Sequence, residues 1–227
     1  MKRNLFILIV LLAVSFVSQA QLIKDRTNGR FTLGFDLFTD FNMGGSYENF
    51  NLRGFNQGFD TYMTFNLPME GTKHTVSVGV GVTSHNYYMK NAWLAEPYAD
   101  TLNFVSLESC DNSKLNLNYF DIPLELNFRI ADKFKISVGG KVGFLMSSKS
   151  KCKGKINASD ALNPDTHKWE VRYGSVSNLE RIVYSATLRV AYRCLNVFCS
   201  YQFTNSVQKG KGPDIMPLSV GIGIRAF

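Results

Sequence analysis

Asp121, Glu125, Arg129 and Lys141 interrupt a stretch, "LNLNYFDIPLELNFRIADKFKISVGGKVGFLM" over 115–146, whose other bulky residues are mostly apolar. Two carboxylates and two cations so close in sequence offer charge pairing, and the worth of that pairing depends on how dry the surroundings are. Other chemistry is sparse. Of three histidines, His74 flanks a turn, His167 lies in a long connection, and His85 follows Ser84 near the end of an alternating segment. Hydrolytic or acyl-transfer chemistry needs a nucleophile with a base in reach, usually His with Ser or Asp. One neighbouring Ser-His pair is thin support, so the chain reads as no enzyme. No His/Cys grouping has metal-ligand spacing, and nothing implies a cofactor or nucleic-acid binding.

The elements that must position these charges are strands. From Phe120 every second residue is bulky and apolar (Phe120, Ile122, Leu124, Leu126, Phe128, Ile130), and the charges fall between them. A period of two belongs to a β-strand, whose successive side chains point to opposite faces. The same template predicts eight strands, at roughly 31–42, 58–67, 74–88, 115–130, 134–148, 179–194, 197–207 and 216–227, and no helix. Connections after the first, third, fifth and seventh are long. Those after the second, fourth and sixth are short: "PMEGTK", "ADK" and the "CLNVFC" region. Short turns at one end and long loops at the other are the layout of a bacterial outer-membrane barrel. The expected architecture is therefore all-β: an eight-stranded antiparallel up-and-down transmembrane β-barrel with long outer loops and short periplasmic turns.

Alternation alone does not say which face is the lumen. A secreted lipocalin-like calyx binding a small apolar ligand has the same strands turned the other way. Two features favour the membrane. Each strand carries about five large apolar side chains, more than the interior of an eight-stranded barrel holds. The polar face collects glycines (Gly34, Gly58, Gly79, Gly81, Gly139, Gly143, Gly221, Gly223), which make room in a crowded lumen and have no use on a watery face. Phe31, Phe41, Phe59, Tyr87, Tyr88, Tyr119, Phe134, Tyr192 and Phe203 lie near strand ends, where a membrane barrel carries its aromatic girdles.

The N-terminus agrees with export. A cationic start (Lys2, Arg3), an apolar run over 5–17 and the small-residue site Ser18-Gln19-Ala20 form a signal-peptide pattern. The expected division is a signal peptide over 1–20 and one barrel domain over 21–227. The net charge of +7 falls to +5 once Lys2 and Arg3 are removed. Lys149, Lys151, Lys153 and Lys155 alternate along an extended segment at the outer leaflet. They either meet lipopolysaccharide phosphates or form a solvated edge.

The stretch "NYFDIPLELNFRI" resembles the PorT-type (porin-family) outer-membrane β-barrel proteins. Tyr119, Asp121, Ile122, Pro123 and Leu124 hold the places of that family's fourth-strand pattern. "KFKISVGGKVGFLMSSKSK" is similar to its glycine-rich fifth strand, and "YSATLRVAYRCLNVFCSYQFTNSV" to its later hairpin. The resemblance implies an eight-stranded barrel and no catalytic residue. It also implies an assembly-machinery signal at the terminal Phe227, yet two, four and six residues earlier stand Arg225, Gly223 and Gly221 in place of apolar residues. A bend or bulge at Ala226 would explain the displacement.

An eight-stranded lumen is filled by side chains and leaves no diffusion pore. The functional expectation is a structural or interaction protein of the envelope or a secretion assembly. Outer-membrane lipid surrounds it, and an unidentified protein partner meets its outer loops. A lipid-modifying barrel enzyme, working through Ser84 and His85, is the weaker reading. On the lumen face the turn parity pairs Ile130 with Phe134, Glu125 with Gly139, Pro123 with Lys141 and Asp121 with Gly143. Lys141 then lies diagonal to both Asp121 and Glu125, with Arg129 across from Lys135. Asp121, Glu125, Arg129 and Lys141 thus form an expected lumenal charge network. Cys110 and Cys152 are candidates for a bridge between two outer loops. Cys194 and Cys199, paired if the sixth hairpin sets them opposite each other, either bridge or remain thiols.

Overall fold

The computed structural model describes residues 30–226 apart from 46, 48–49, 90–91, 95, 107–109 and 157–166. The expected signal peptide and Phe227 lie outside the described residues. Eleven strands are described: β1 (Phe31–Asn42), β2 (Gln57–Pro68), β3 (Thr75–Met89), β4 (Ala92–Leu94), β5 (Phe104–Ser106), β6 (Cys110–Ala131), β7 (Phe134–Ile156), β8 (His167–Tyr173), β9 (Ile182–Tyr192), β10 (Leu195–Gln202) and β11 (Pro217–Ala226). Eight of them close a ring in the order β6, β3, β2, β1, β11, β10, β9, β7, with β7 pairing back onto β6. All pairings are antiparallel. The three strands that periodicity did not predict stand in the long connections. β4 and β5 form a small hairpin, and β8 pairs with β7 over 150–156, beyond the point where β9 ends.

The bulky alternating set faces outward. Ile130 and Ile222 are 63% and 65% exposed, whereas Asp36 and Arg225, of opposite parity, are 0% and 3% exposed. A calyx would show the reverse. Phe120 to Ile130 on β6 is ten residue steps of about 3.4 Å. Tilted by about 40°, it rises about 26 Å, the height of an outer-membrane barrel's apolar band.

At the loop end the pattern inverts. On β6 the outward positions above Phe120 are Asn118, Asn116 and Lys114, and the inward ones above Asp121 are Tyr119, Leu117 and Leu115, all buried. On β3 the swap falls between Val82 and Ser84 outside and between Thr83 and Tyr87 inside. Below the swap the strands have apolar exteriors and polar interiors; above it they have wet exteriors and an apolar core. That core joins Tyr87, Met89, Leu115, Leu117 and Tyr119 to Leu94, Leu102, Phe104, Val207 and Ile215 from the long connections. Solvent explains the swap: each face takes the side chains that match lipid or water.

Four expectations need correction. Tyr87 and Tyr119 are not girdle residues, because their parity turns them into this core, where they are 0% and 1% exposed. No bulge occurs at Ala226: β1 and β11 stay in register to Leu33 opposite Ala226, and Arg225 points inward. Ala131 pairs with Phe134 across a two-residue turn, so Ile130 is bulged out, while the deeper pairs (Glu125 with Gly139, Pro123 with Lys141, Asp121 with Gly143) stand as the parity argument requires. Cys199 lies opposite Leu188, not Cys194, because Arg193 and Cys194 form the whole turn after Tyr192; both thiols are free. Arg193 takes a positive φ of 53°, which lets two residues reverse the chain.

Candidate functional site

The site is the lumen, and it is built in layers from inward-facing residues of all the barrel strands. Nearest the short turns, Arg225 on β11 grips Glu125 on β6 with Nη2 2.8 and 2.7 Å from the two carboxylate oxygens. Its Nε donates to the Tyr62 hydroxyl on β2 at 2.6 Å. Arg189 on β9 donates to Asp36 at 2.7 Å and to Asn196, and its Nε is 3.7 Å from Glu125. The Arg189 guanidinium also lies over the rings of Phe198 and Tyr62, 4.7 and 5.3 Å from their centroids. Planar, delocalised guanidinium groups suit this crowded setting, where they stack and pair together.

One layer higher, Lys141 Nζ donates to Asp121 at 2.9 Å, Asp60 at 3.2 Å and Thr83 Oγ1 at 2.8 Å. Thr83 in turn donates to the same Asp121 oxygen. Higher again, His85 Nδ1 is 2.7 Å from Asp40 Oδ2, while Ser219 donates to the other Asp40 oxygen at 2.6 Å. His85 stacks on Tyr87 and meets Tyr119 and Phe38 edge-on or tilted, which joins the polar column to the apolar cap. Two small cavities, one beside Asp60 and Arg189 and one beside His85 and Gln202, meet at Asp121 and Lys141.

Glycines make this packing fit. A Cβ at Gly34 would overlap the Tyr62 ring, one at Gly58 the Phe38 ring, and one at Gly223 the Asp36 carboxylate.

Of the four charges singled out in sequence, Asp121 and Lys141 are brought together. Glu125 belongs to the arginine layer, and Arg129 is exposed beside Lys135 near the short turn. Asp36, Asp60, Asp40, His85, Arg189 and Arg225 complete the column. Parity was the signal for all of them: each but His85, which stands above the swap between Ser84 and Asn86, alternates with an outward-facing apolar residue. Ser84 and His85 do not form a dyad: they point to opposite faces, and Ser84 Oγ accepts from Asn116 at 3.0 Å on the outside. Among the described residues no His/Cys/Asp/Glu group is arranged to hold a metal.

Outside the lumen, Lys151 and Lys153 each pair with Glu170 of β8 at 2.8 Å. Those three residues and Arg172 form the outer face of the β7–β8 extension. Glu170 is held at about 2, well below its ordinary value, by hydrogen bonds from Lys151, Lys153 and Arg172. Cys152, opposite Ser113 on β6, is disulfide-bonded. The side chains of Cys110 and Lys155 lie outside the described residues.

A family model described as outer membrane protein beta-barrel domain matches residues 19–207. Among curated proteins, none matches the chain. Two solved structures of Ail, the attachment invasion locus protein of Yersinia pestis, are similar at 13% identity and a TM-score of 0.34. They cover 86% of this chain and 96% and 95% of theirs, the first in complex with the heparin analogue sucrose octasulfate.

Proposed function

Since this chain belongs to the family of outer membrane protein β-barrel domains and lies in the bacterial outer membrane, we propose that it is a sealed barrel with a structural or interaction role. The observation that carries this reading is the double closure of the lumen. A column of paired charges fills the membrane-spanning part, and an apolar core contributed by the outer loops caps it. A channel would need neither to be satisfied. An enzyme of the Ser-His kind would need the nucleophile in reach of the base, whereas Ser84 faces outward to Asn116 and His85 faces the lumen.

The cap suggests how the protein meets others. Loops that share a buried core present a fixed outer surface, and that preorganisation lowers the ordering cost of docking a protein partner. The reading extends to a leader over 1–20, to assembly-machinery recognition at Phe227, and to PorT-type membership on the strength of "NYFDIPLELNFRI". Planar-bilayer recording on the refolded protein tests the seal. The expected result is a gel shift between unboiled and boiled samples and no stable conductance; steady channels passing sugar-sized solutes would overturn it.

A further inference from the structure

Just above the apolar band, the outward face of β3, β6 and β7 carries a patch that the sealed-barrel reading leaves unused. Three rows of directly opposed residues cross it: Ser84, Asn118 and Ser147; then Asn86, Asn116 and Lys149; then Tyr88, Lys114 and Lys151. The amides lock the patch together. Asn116 Nδ2 donates to Ser84 at 3.0 Å and Asn86 at 3.1 Å, and Asn118 Nδ2 donates to Asn116 at 3.0 Å and Ser147 at 2.9 Å. Lys114 is drawn in by Asn86 Oδ1 at 2.9 Å and lies over the Tyr88 ring.

The charge on this patch is unbalanced. Lys114 sits directly opposite Lys151, a like-charge pairing that destabilises a sheet unless an anion lies between or beside the two. Glu170 serves Lys151 and Lys153, whereas Lys114 and Lys149 are in no ion pair among the described residues. The height of the patch identifies the missing anion. Its lowest row stands one pleat above Val82 and Phe120, the last exposed apolar residues on β3 and β6. That is the headgroup level of the outer leaflet. A molecule whose acyl chains lie along Val82, Phe120, Ile122 and Phe144 carries its phosphate to Lys114 and Lys149.

We propose that Lys114 and Lys149 clamp a phosphate of an anionic outer-leaflet glycolipid on the β3–β6–β7 face. The proposal rests on the outer-membrane reading above. Full-length folded protein in detergent, titrated with diphosphorylated lipid A and read by native mass spectrometry, tests it. Binding is expected to weaken when the lipid is dephosphorylated, and to weaken about 30-fold in the Lys114→Gln, Lys149→Gln double variant, at roughly tenfold per 1.4 kcal/mol. The Lys114→Arg, Lys149→Arg variant keeps the parent affinity. Double-Gln binding within threefold of the parent, or equal binding of the dephosphorylated lipid, overturns the proposal. Equal competition by inorganic phosphate also overturns it, in favour of a free-anion site. Loss of the boiled-versus-unboiled gel shift in the parent itself would instead overturn the barrel reading on which it rests.

Discussion

Replacing Lys141 with methionine keeps an unbranched side chain one atom shorter and removes the cation that Asp121 and Asp60 share. Their side chains are 4% and 12% exposed, so water reaches only one of them, and poorly. Removing one partner of a buried pair costs about 3–5 kcal/mol, because the remaining charge is left uncompensated. Here two carboxylates are left, but Lys141 and Asp60 keep some contact with water, and the expected loss lies at the lower end, about 3 kcal/mol. Thr83 still donates to Asp121 and offsets little of it. Adding Asp60→Asn and Asp121→Asn removes both orphaned charges, and at least half the loss is expected to return. Adding Glu125→Gln is not expected to help. Glu125 is the carboxylate partner of Arg225, so its loss orphans that buried cation, while Arg189 keeps Asp36, and costs about a further 3 kcal/mol. Urea unfolding in detergent micelles, followed by circular dichroism and by the heat-dependent gel shift, measures each step. Lys141→Met within about 0.5 kcal/mol of the parent, on the scale of an ordinary surface substitution, would refute the dry ion-pair column. Rescue by Glu125→Gln as complete as by the two asparagines would refute the assignment of partners.

Two further outcomes follow from the same layers. Gly223→Ala drives a methyl group into Asp36 and pushes that carboxylate off Arg189, so the urea midpoint falls by the equivalent of about 2 kcal/mol; an unchanged midpoint would mean that the lumen has room to spare. Glu170, held down at about 2 against an ordinary 4.5, stabilises the β7–β8 extension fully above 4.5, and that contribution is lost as pH falls towards 2. Amide exchange in β8 is therefore expected to quicken, beyond its intrinsic pH dependence, between those values in the parent. The Glu170→Gln variant lacks that transition.

Much of this protein was legible because strand parity is local. Alternation alone divided Phe120, Ile122 and Leu124 from Asp121 and Glu125, and the uneven connections told which strand ends face outward. Glycine placement and side-chain bulk then assigned lipid to one face. Tyr87 and Tyr119 stand near strand ends as girdle residues do, but their parity turns them into the buried cap. The exchange of faces above Phe120 is written in "LNLNYFDIPL", but the period stays two while the chemistry swaps sides, so periodicity passes over it. Partners were another matter. Lys141 and Asp60 are 81 residues apart, and Arg225 and Glu125 are 100 apart. None of these pairs sits on facing positions of adjacent strands. They meet because the ring closes and its curvature points inward side chains at one another across the lumen. Pairwise register reaches only the next strand, so only the closed barrel decides which charges neutralise each other.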